Sequence, residues 1–201
     1  MSEQATKRAI EIFKEHGGIM TTKVAVESNV QYRTLYEMRD QGLLKRISRG
    51  RYRLAELPPL SNPDLAVVGL RIPRGVICLI SALAFHELTT QVPHQVYVAL
   101  PRGSEEPRVD HPPIRVFKFS GQAFSEVIEV REFDGITVRV YSPAKTVADC
   151  FKFRNQIGLD VAIEALKLYQ RTSDFNVNEL MKFARICRVD KIMRPYIEAI
   201  L

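Results

Sequence analysis

The sequence predicts an α+β protein in two parts: a small N-terminal domain of three helices closed by a β-hairpin, then a larger mixed domain that ends in helices. Three observations carry that prediction. Residues 5–41 hold helix-period apolar stripes punctuated by Gly17-Gly18 and closed by Gly42. Residues 43–54, LLKRISRGRYRL, alternate in the manner of a hairpin centred on Arg49-Gly50. Residues 75–141 are dominated by strand-like runs, and helical patterning resumes at Ser142-Pro143.

Residues 5–16 read as a helix with Ala5, Ala9, Ile12, Phe13 and His16 along one stripe, stopped by Gly17-Gly18. A short second helix opens with Thr21 or Thr22 as N-cap and turns Val24, Ala25 and Ser28 inward. The run SNVQ makes a tight turn, and a third helix extends from about Gln31 to Gln41 before Gly42 ends it. On a helical projection Leu35, Met38 and Gln31 cluster on one side of that helix. Arg33, Tyr36, Glu37 and Asp40 fall on the other.

Five of the twelve residues in 43–54 are cationic: Lys45, Arg46, Arg49, Arg51 and Arg53. Pairing Ser48 with Arg51 sets Ile47 opposite Tyr52 and Lys45 opposite Leu54, leaving Ser48, Arg51, Arg46 and Arg53 on the other face. A slip of one residue mixes the two faces, so the pattern selects this register. Gly50 suits a two-residue turn; Arg49 suits it less, and a four-residue loop in the same register is the alternative. Like charges stacked on one face are destabilising unless an anion lies over them; a merely solvated face is the competing reading.

Three helices followed by such a hairpin are the order of a winged helix-turn-helix. The expected fold is therefore α+β, an N-terminal winged helix-turn-helix followed by a mixed α/β C-terminal domain with a helical C-terminal end. The expected boundaries are 1–56 for the winged helix-turn-helix, 57–73 for a linking segment and 74–201 for the second domain. Such a fold presents the outer face of its third helix to the major groove of double-stranded DNA. Arg33 is the candidate for guanine, and Tyr32, Thr34 and Tyr36 are candidates for base edges or phosphates. Glu37 either orients Arg33 or accepts from a cytosine. On the hairpin, Arg46, Ser48, Arg51 and Arg53 are candidates for phosphates, with Arg49 at the tip reaching the minor groove.

Pro58-Pro59 and Asn62-Pro63 break the chain after the hairpin, and a short helix spans about Pro63 to Arg71. GVICLIS (75–81) reads as a buried strand, with Ser81 capping a short helix to about Leu88. HQVYVALP and IRVFKF read as strands flanking the polar, Pro-rich loop 102–113. EVIEVREFDGITVRVYS reads as two strands joined by Asp134-Gly135. Ser142 as N-cap and Pro143 at N1 start a helix that carries Ala144, Val147, Ala148 and Phe151 inward. Residues 159–170 follow with the stripe Leu159, Ala162, Ile163, Leu166 and Tyr169. Residues 176–187 open with a capping box of Asn176 and Glu179. A last helix ends the chain, with Pro195 expected to kink or restart it.

At 201 residues the chain is long enough for one or two cores. A net charge of +6, from 29 Lys+Arg against 23 Asp+Glu, favours an anionic partner. No apolar run is long enough to span a bilayer and the N-terminal residues are charged, so a cytoplasmic protein without a membrane partner is expected. Cys78, Cys150 and Cys187 are far apart and form no CxxC pair, which suits buried thiols. The histidines His16, His86, His94 and His111 are scattered, and neither metal nor other cofactor is expected. There is no phosphate-binding Gly-rich loop, GxSxG or HExxH, so no catalytic residue is assigned. A metal-dependent nuclease would need converging carboxylates; the nearest fragment, Glu129–Arg131, offers one carboxylate beside a guanidinium too basic to serve as a base.

Three stretches, ISALAFHELTTQVPHQVYVALPRG (80–103), RVYSPAKTVADCFKFRNQIG (139–158) and FARICRVDKIMRPYIEAIL (183–201), resemble the AbiEi family of antitoxins, as does the N-terminal domain ending in RGRYRL. The resemblance implies a type IV toxin–antitoxin pair. In such a pair the antitoxin opposes a nucleotidyltransferase toxin without a stable complex, and represses its own operon by binding inverted repeats in the promoter. On that reading residues 74–201 are the antitoxin domain. The alternative is a stand-alone winged-helix transcriptional regulator whose C-terminal domain senses a ligand or partner. Within YSPAKTVADC, Lys145 and Asp149 stand at i,i+4 spacing. The run reads either as a structural helix start or, through Lys145, Lys152 and Arg154, as part of a basic surface. Arg185, Arg188, Lys191 and Arg194 extend that surface in the second case and are a solvated face in the first.

Overall fold

The computed structural model describes residues 3–200. The chain is mixed α+β and divides into two compact units, Met1–Pro63 with Phe133–Ile136, and Asp64–Glu132 with Thr137–Leu201.

In the first unit α1 (Glu3–Glu15) buries Ala9 and Phe13, spaced i,i+4, on one face. Gly17 and Gly18 end it in positive φ, and Gly18 N–H returns to the Phe13 carbonyl at 2.7 Å. The chain then forms β1 (Ile19–Thr21), which the sequence did not reveal, and enters α2 (Thr22–Glu27). Thr21 is the N-cap, its hydroxyl accepting from Val24 N–H at 3.1 Å. Asn29, at φ +66°, turns the chain into α3 (Tyr32–Asp40), which buries Thr34, Leu35 and Met38. The hairpin β2 (Leu44–Ser48) and β3 (Arg51–Leu54) follows, and the sheet order is β1-β3-β2.

The hairpin register differs from the expected one. Ser48 does oppose Arg51, but Ile47 is bulged out of the ladder, so Arg46 opposes Tyr52, Lys45 opposes Arg53 and Leu44 opposes Leu54. The unbulged register left Leu44 without a buried partner. The bulge places Leu44 and Leu54 opposite each other, both 2 % exposed, in the core with Phe13, Leu35, Met38 and Tyr52. Core burial thus outweighs regular pairing. Because β1 occupies the far side of β3, that strand is central, and Arg53 opposes both Ile19 and Lys45.

The second unit holds a five-stranded sheet of order β6-β5-β4-β8-β7. Its strands are β4 (Val76–Ile77), β5 (Val96–Pro101), β6 (Ile114–Phe119), β7 (Ile128–Phe133) and β8 (Ile136–Tyr141). β4 runs antiparallel to β5 and parallel to β8, and β5 runs parallel to β6. β7 and β8 are joined by Asp134-Gly135, at φ +54° and +72°, the backbone a two-residue hairpin turn requires. The stretch expected as a seven-residue strand is β4 for two residues only. Cys78, not Ser81, is the N-cap of α5 (Leu79–Phe85), and the Ser81 hydroxyl instead receives Tyr97 N–H at 2.9 Å. An apolar run of this length suits a buried helix as well as a buried strand, and tertiary packing selects the helix here.

The remaining helices are α4 (Pro63–Arg71), α6 (Gln122–Ser125), α7 (Pro143–Lys152), α8 (Arg154–Ile157), α9 (Leu159–Gln170), α10 (Val177–Ile186) and α11 (Asp190–Ile200). Ser142 caps α7, with Pro143 in its first turn. On α9, Val161 and Ala165 join the buried face while Leu159 lies outside. At α10 the capping box is half formed: the Asn176 side chain accepts from Asn178 and Glu179 N–H, but Asn176 N–H donates to the Tyr169 hydroxyl. Pro195 sits inside a continuous α11.

Packed by α5, α9, α10 and α11, α7 is buried all round. Two of its three charged residues, Lys145 and Asp149, are fully buried and ion-paired with each other; the third, Lys152, lies in the last turn. Lys145 is therefore not part of any basic surface. Its ammonium lies 4.2 Å from the Tyr141 ring centroid and 5.0 Å from that of Phe119. Asp149 also accepts from the Cys187 thiol at 3.1 Å. Burial pushes the Asp149 carboxyl above the usual carboxylate range against the pull of Lys145, and pushes the Cys187 thiol up to about 12. The thiol thus keeps the proton it donates.

Candidate nucleic-acid interface

The outward face of α3 and the turn of the hairpin carry most of the unburied cations of the first unit. Tyr32 and Tyr36 stand 54 % and 44 % exposed on α3, unusual for aromatic rings. Leu35 and Met38 lock the opposite side into the core. Arg33 projects into solvent, with its Nε donating to Glu37 Oε1 at 2.8 Å. That bond holds the guanidinium plane and raises the Arg33 pKa from its ordinary value. It engages Nε rather than the terminal nitrogens, the two donors with which an Arg fork can meet two acceptors. One turn on, the Arg39 guanidinium lies 5.2 Å from the Tyr36 ring centroid and bonds Asp40.

On the hairpin, Lys45, Arg46 and Arg49 are exposed and Arg51 is half-buried. Arg46 Nε donates to the Ser48 carbonyl at 3.3 Å, curling its side chain over the bulge. The turn is fastened from below, where the Gly50 carbonyl accepts from Thr22 N–H at 2.9 Å and the Thr22 hydroxyl at 3.2 Å.

Two expected contact residues face the other way. Thr34 is 8 % exposed against the core. Arg53 is 6 % exposed and donates from Nη2 to the Pro58 carbonyl at 2.7 Å. Arg53 keeps the face away from Tyr52 and Leu54, but it sits on the central strand and its guanidinium turns back to the Pro58 carbonyl, which buries it. The Ile47 bulge instead reverses β2, so Lys45, expected opposite Leu54 on the apolar face, opposes Arg53 and is exposed. Ser48 is half-buried, with its hydroxyl oxygen buried and unbonded. Tyr32, Arg33, Tyr36, Arg46 and Arg49 remain on the outer surface, Arg51 lies at its margin, and Lys45 and Arg39 join them. Arg39 was legible as the i+3 neighbour of Tyr36; Lys45 was not, because the bulge has no local sequence signal.

Residues 7–55 match the model of a family described as transcriptional regulator, AbiEi antitoxin. The N-terminal region is of AbiEi type. The match covers α1 through β3, hence the whole helix-turn-helix and hairpin, which is a winged helix consistent with that family. No curated protein matches the chain. Among the described residues no three or more His, Cys, Asp or Glu side chains stand together as a metal site, and no helix is long and apolar enough to cross a membrane.

Proposed function

We infer that the chain is a DNA-binding antitoxin and transcriptional regulator without catalytic activity, acting in the cytoplasm. It represses its own operon through the promoter's inverted repeats and opposes a nucleotidyltransferase toxin without forming a stable complex with it. The observation that carries this reading is the AbiEi-type N-terminal unit with a preset Arg33 fork, exposed Tyr32 and Tyr36, and a cationic wing tip on one winged-helix scaffold. The division of labour follows the chain: 1–56 contact DNA, 57–73 connect, and 74–201 supply the antitoxin activity.

Arg33 reads a guanine, Tyr32 and Tyr36 contact base edges or phosphates, and Arg46, Arg49 and Arg51 contact backbone or minor groove. Ser48 stays beside this surface, while the buried Thr34 and Arg53 are left out of it. Six cations on α3 and the wing are not buried: Arg33, Arg39, Lys45, Arg46, Arg49 and Arg51. If each meets a phosphate or base, affinity for the chain's own promoter falls about 10³-fold between roughly 50 and 200 mM salt. Fluorescence anisotropy on promoter DNA measures this, and a flat salt response overturns the DNA reading. Growth rescue against the cognate toxin, with expression from an unrelated promoter, tests the antitoxin half. Loss of rescue in a folded, DNA-binding-deficient variant overturns the division of labour.

A further inference from the structure

The outer edge of the five-stranded sheet carries a feature that DNA binding does not use. β7 is an edge strand whose one neighbour is β8. Its sequence, IEVREF, lacks the Pro or Lys by which edges are commonly blocked. Val130, at its middle, is 65 % exposed. On the opposite edge, β6, Lys118 Nζ reaches the preceding loop and donates to the Ser104 carbonyl at 2.6 Å. Along β7, Val130, Arg131 and Glu132 are exposed.

The charges of β7 are arranged for one partner. Glu129 and Arg131 lie on one face, two residues apart, with Arg131 Nη2 donating to Glu129 Oε2 at 2.6 Å. An antiparallel copy centred on Val130 reverses that order. Glu129 then opposes Arg131 of the second copy, Arg131 opposes its Glu129, and the two Val130 side chains meet on the other face. Four charges of alternating sign result. Centring on Arg131 would oppose two arginines, and centring on Glu129 or Glu132 two glutamates. The two-residue turn also makes its flanking residues the first bonded pair of the hairpin. By alternation, the amides of residues 128, 130 and 132 then turn outward, which is the set a Val130-centred pairing needs.

We propose that β7 is a homotypic docking edge, at which two copies of the chain join their sheets antiparallel about a two-fold axis through Val130. The pairing is short, so it is weak in free solution and strengthens where two copies are held close together. It stands apart from the DNA reading, because its residues lie in the second unit and its test needs no DNA.

All three native cysteines are buried, so a Cys introduced at the edge is the reactive thiol. In the proposed register two copies of Val130→Cys place their Cα atoms about 5.5 Å apart, within disulfide range. Two copies of Glu132→Cys sit four residues out of register. Under mild oxidation of the full chain, V130C forms covalent dimer at least about tenfold faster than E132C. Adding Glu129→Arg to V130C suppresses the dimer, and adding Arg131→Glu to that same chain restores it, since the swapped pair is again self-complementary. V130C/E129R mixed with V130C/R131E also cross-links. Equal rates for V130C and E132C, or failure of the charge swap to restore cross-linking in a chain with the parent's melting curve, overturn the proposal.

Discussion

Replacing Lys145 with Met tests what holds the core of the second unit together. Methionine fills nearly the same volume, so the loss is one of charge. Asp149 then keeps only the Cys187 thiol as a partner at a site with no solvent exposure. Breaking a buried pair from one side costs about 3–5 kcal/mol, because the orphaned charge must be desolvated or neutralised. With a urea m-value of about 2 kcal/mol/M, the unfolding midpoint of this unit falls by about 2 M. The cysteines make the assay selective: Cys78, Cys150 and Cys187 all lie in the core of the second unit, so thiol labelling against urea reports that unit alone. The pH dependence carries a definite sign. In Lys145→Met the folded Asp149 holds its proton above the ordinary value of 3.8, at pH values where the unfolded chain has released it. Stability is therefore fully present below that value and is lost as pH rises through the raised folded pKa. The deficit is larger at pH 8 than at pH 5, read by circular dichroism. Lys145→Met with Asp149→Leu removes both charges and recovers most of the midpoint. A single variant that unfolds with the parent, or a double variant no better than the single, refutes the account.

Other perturbations separate neighbouring roles. Arg46→Ala with Arg49→Ala lowers the salt slope of DNA binding by about two and weakens all sequences alike, while the melting temperature stays put. Arg53→Ala instead costs roughly 1–3 kcal/mol of stability in a denaturation curve, because the Pro58 carbonyl loses its donor. Burial holds the His86 pKa below its ordinary 6.5 despite the bond from its ring to the Tyr141 carbonyl at 2.7 Å. Stability therefore falls as pH drops below 6.5 toward the folded value, and His86→Gln flattens that part of a melting-temperature profile relative to wild type. Gly158 enters α9 at φ +101°, where an added Cβ runs into the Asp160 carboxylate. Gly158→Ala costs of order 1–3 kcal/mol in a thermal melt.

Where the signal was chemical and local, the sequence was legible. Thr21, Ser142-Pro143 and Asn176 mark helix starts because a side-chain oxygen or a fixed φ satisfies groups that only a helix end leaves open. Asp134-Gly135 marks its hairpin for a similar reason. The misses share a different cause. β1 is three residues long and exists because β3 offers it a ladder, which nothing in IMT announces. The Ile47 bulge is decided by Leu44 finding Leu54 in the core, a tertiary event that then reassigns Lys45, while Arg53 is drawn in by the Pro58 carbonyl. At the site, the α3 face was readable from helical projection except for Thr34. The wing was readable as cationic, but which of its cations face outward was not.

The fastening of Gly50 to Thr22 makes the wing tip and the first turn of α2 a single mechanical body. On the DNA-binding reading, a two-pronged reader of that kind works like a fixed calliper. It adapts little, so the duplex must bring its grooves to the spacing between α3 and the wing. Discrimination then reaches base pairs that no side chain touches, through the twist and groove width of the DNA. Operator affinity would respond to superhelical tension, and Thr22→Val, which frees the tip on one side, would blunt that response.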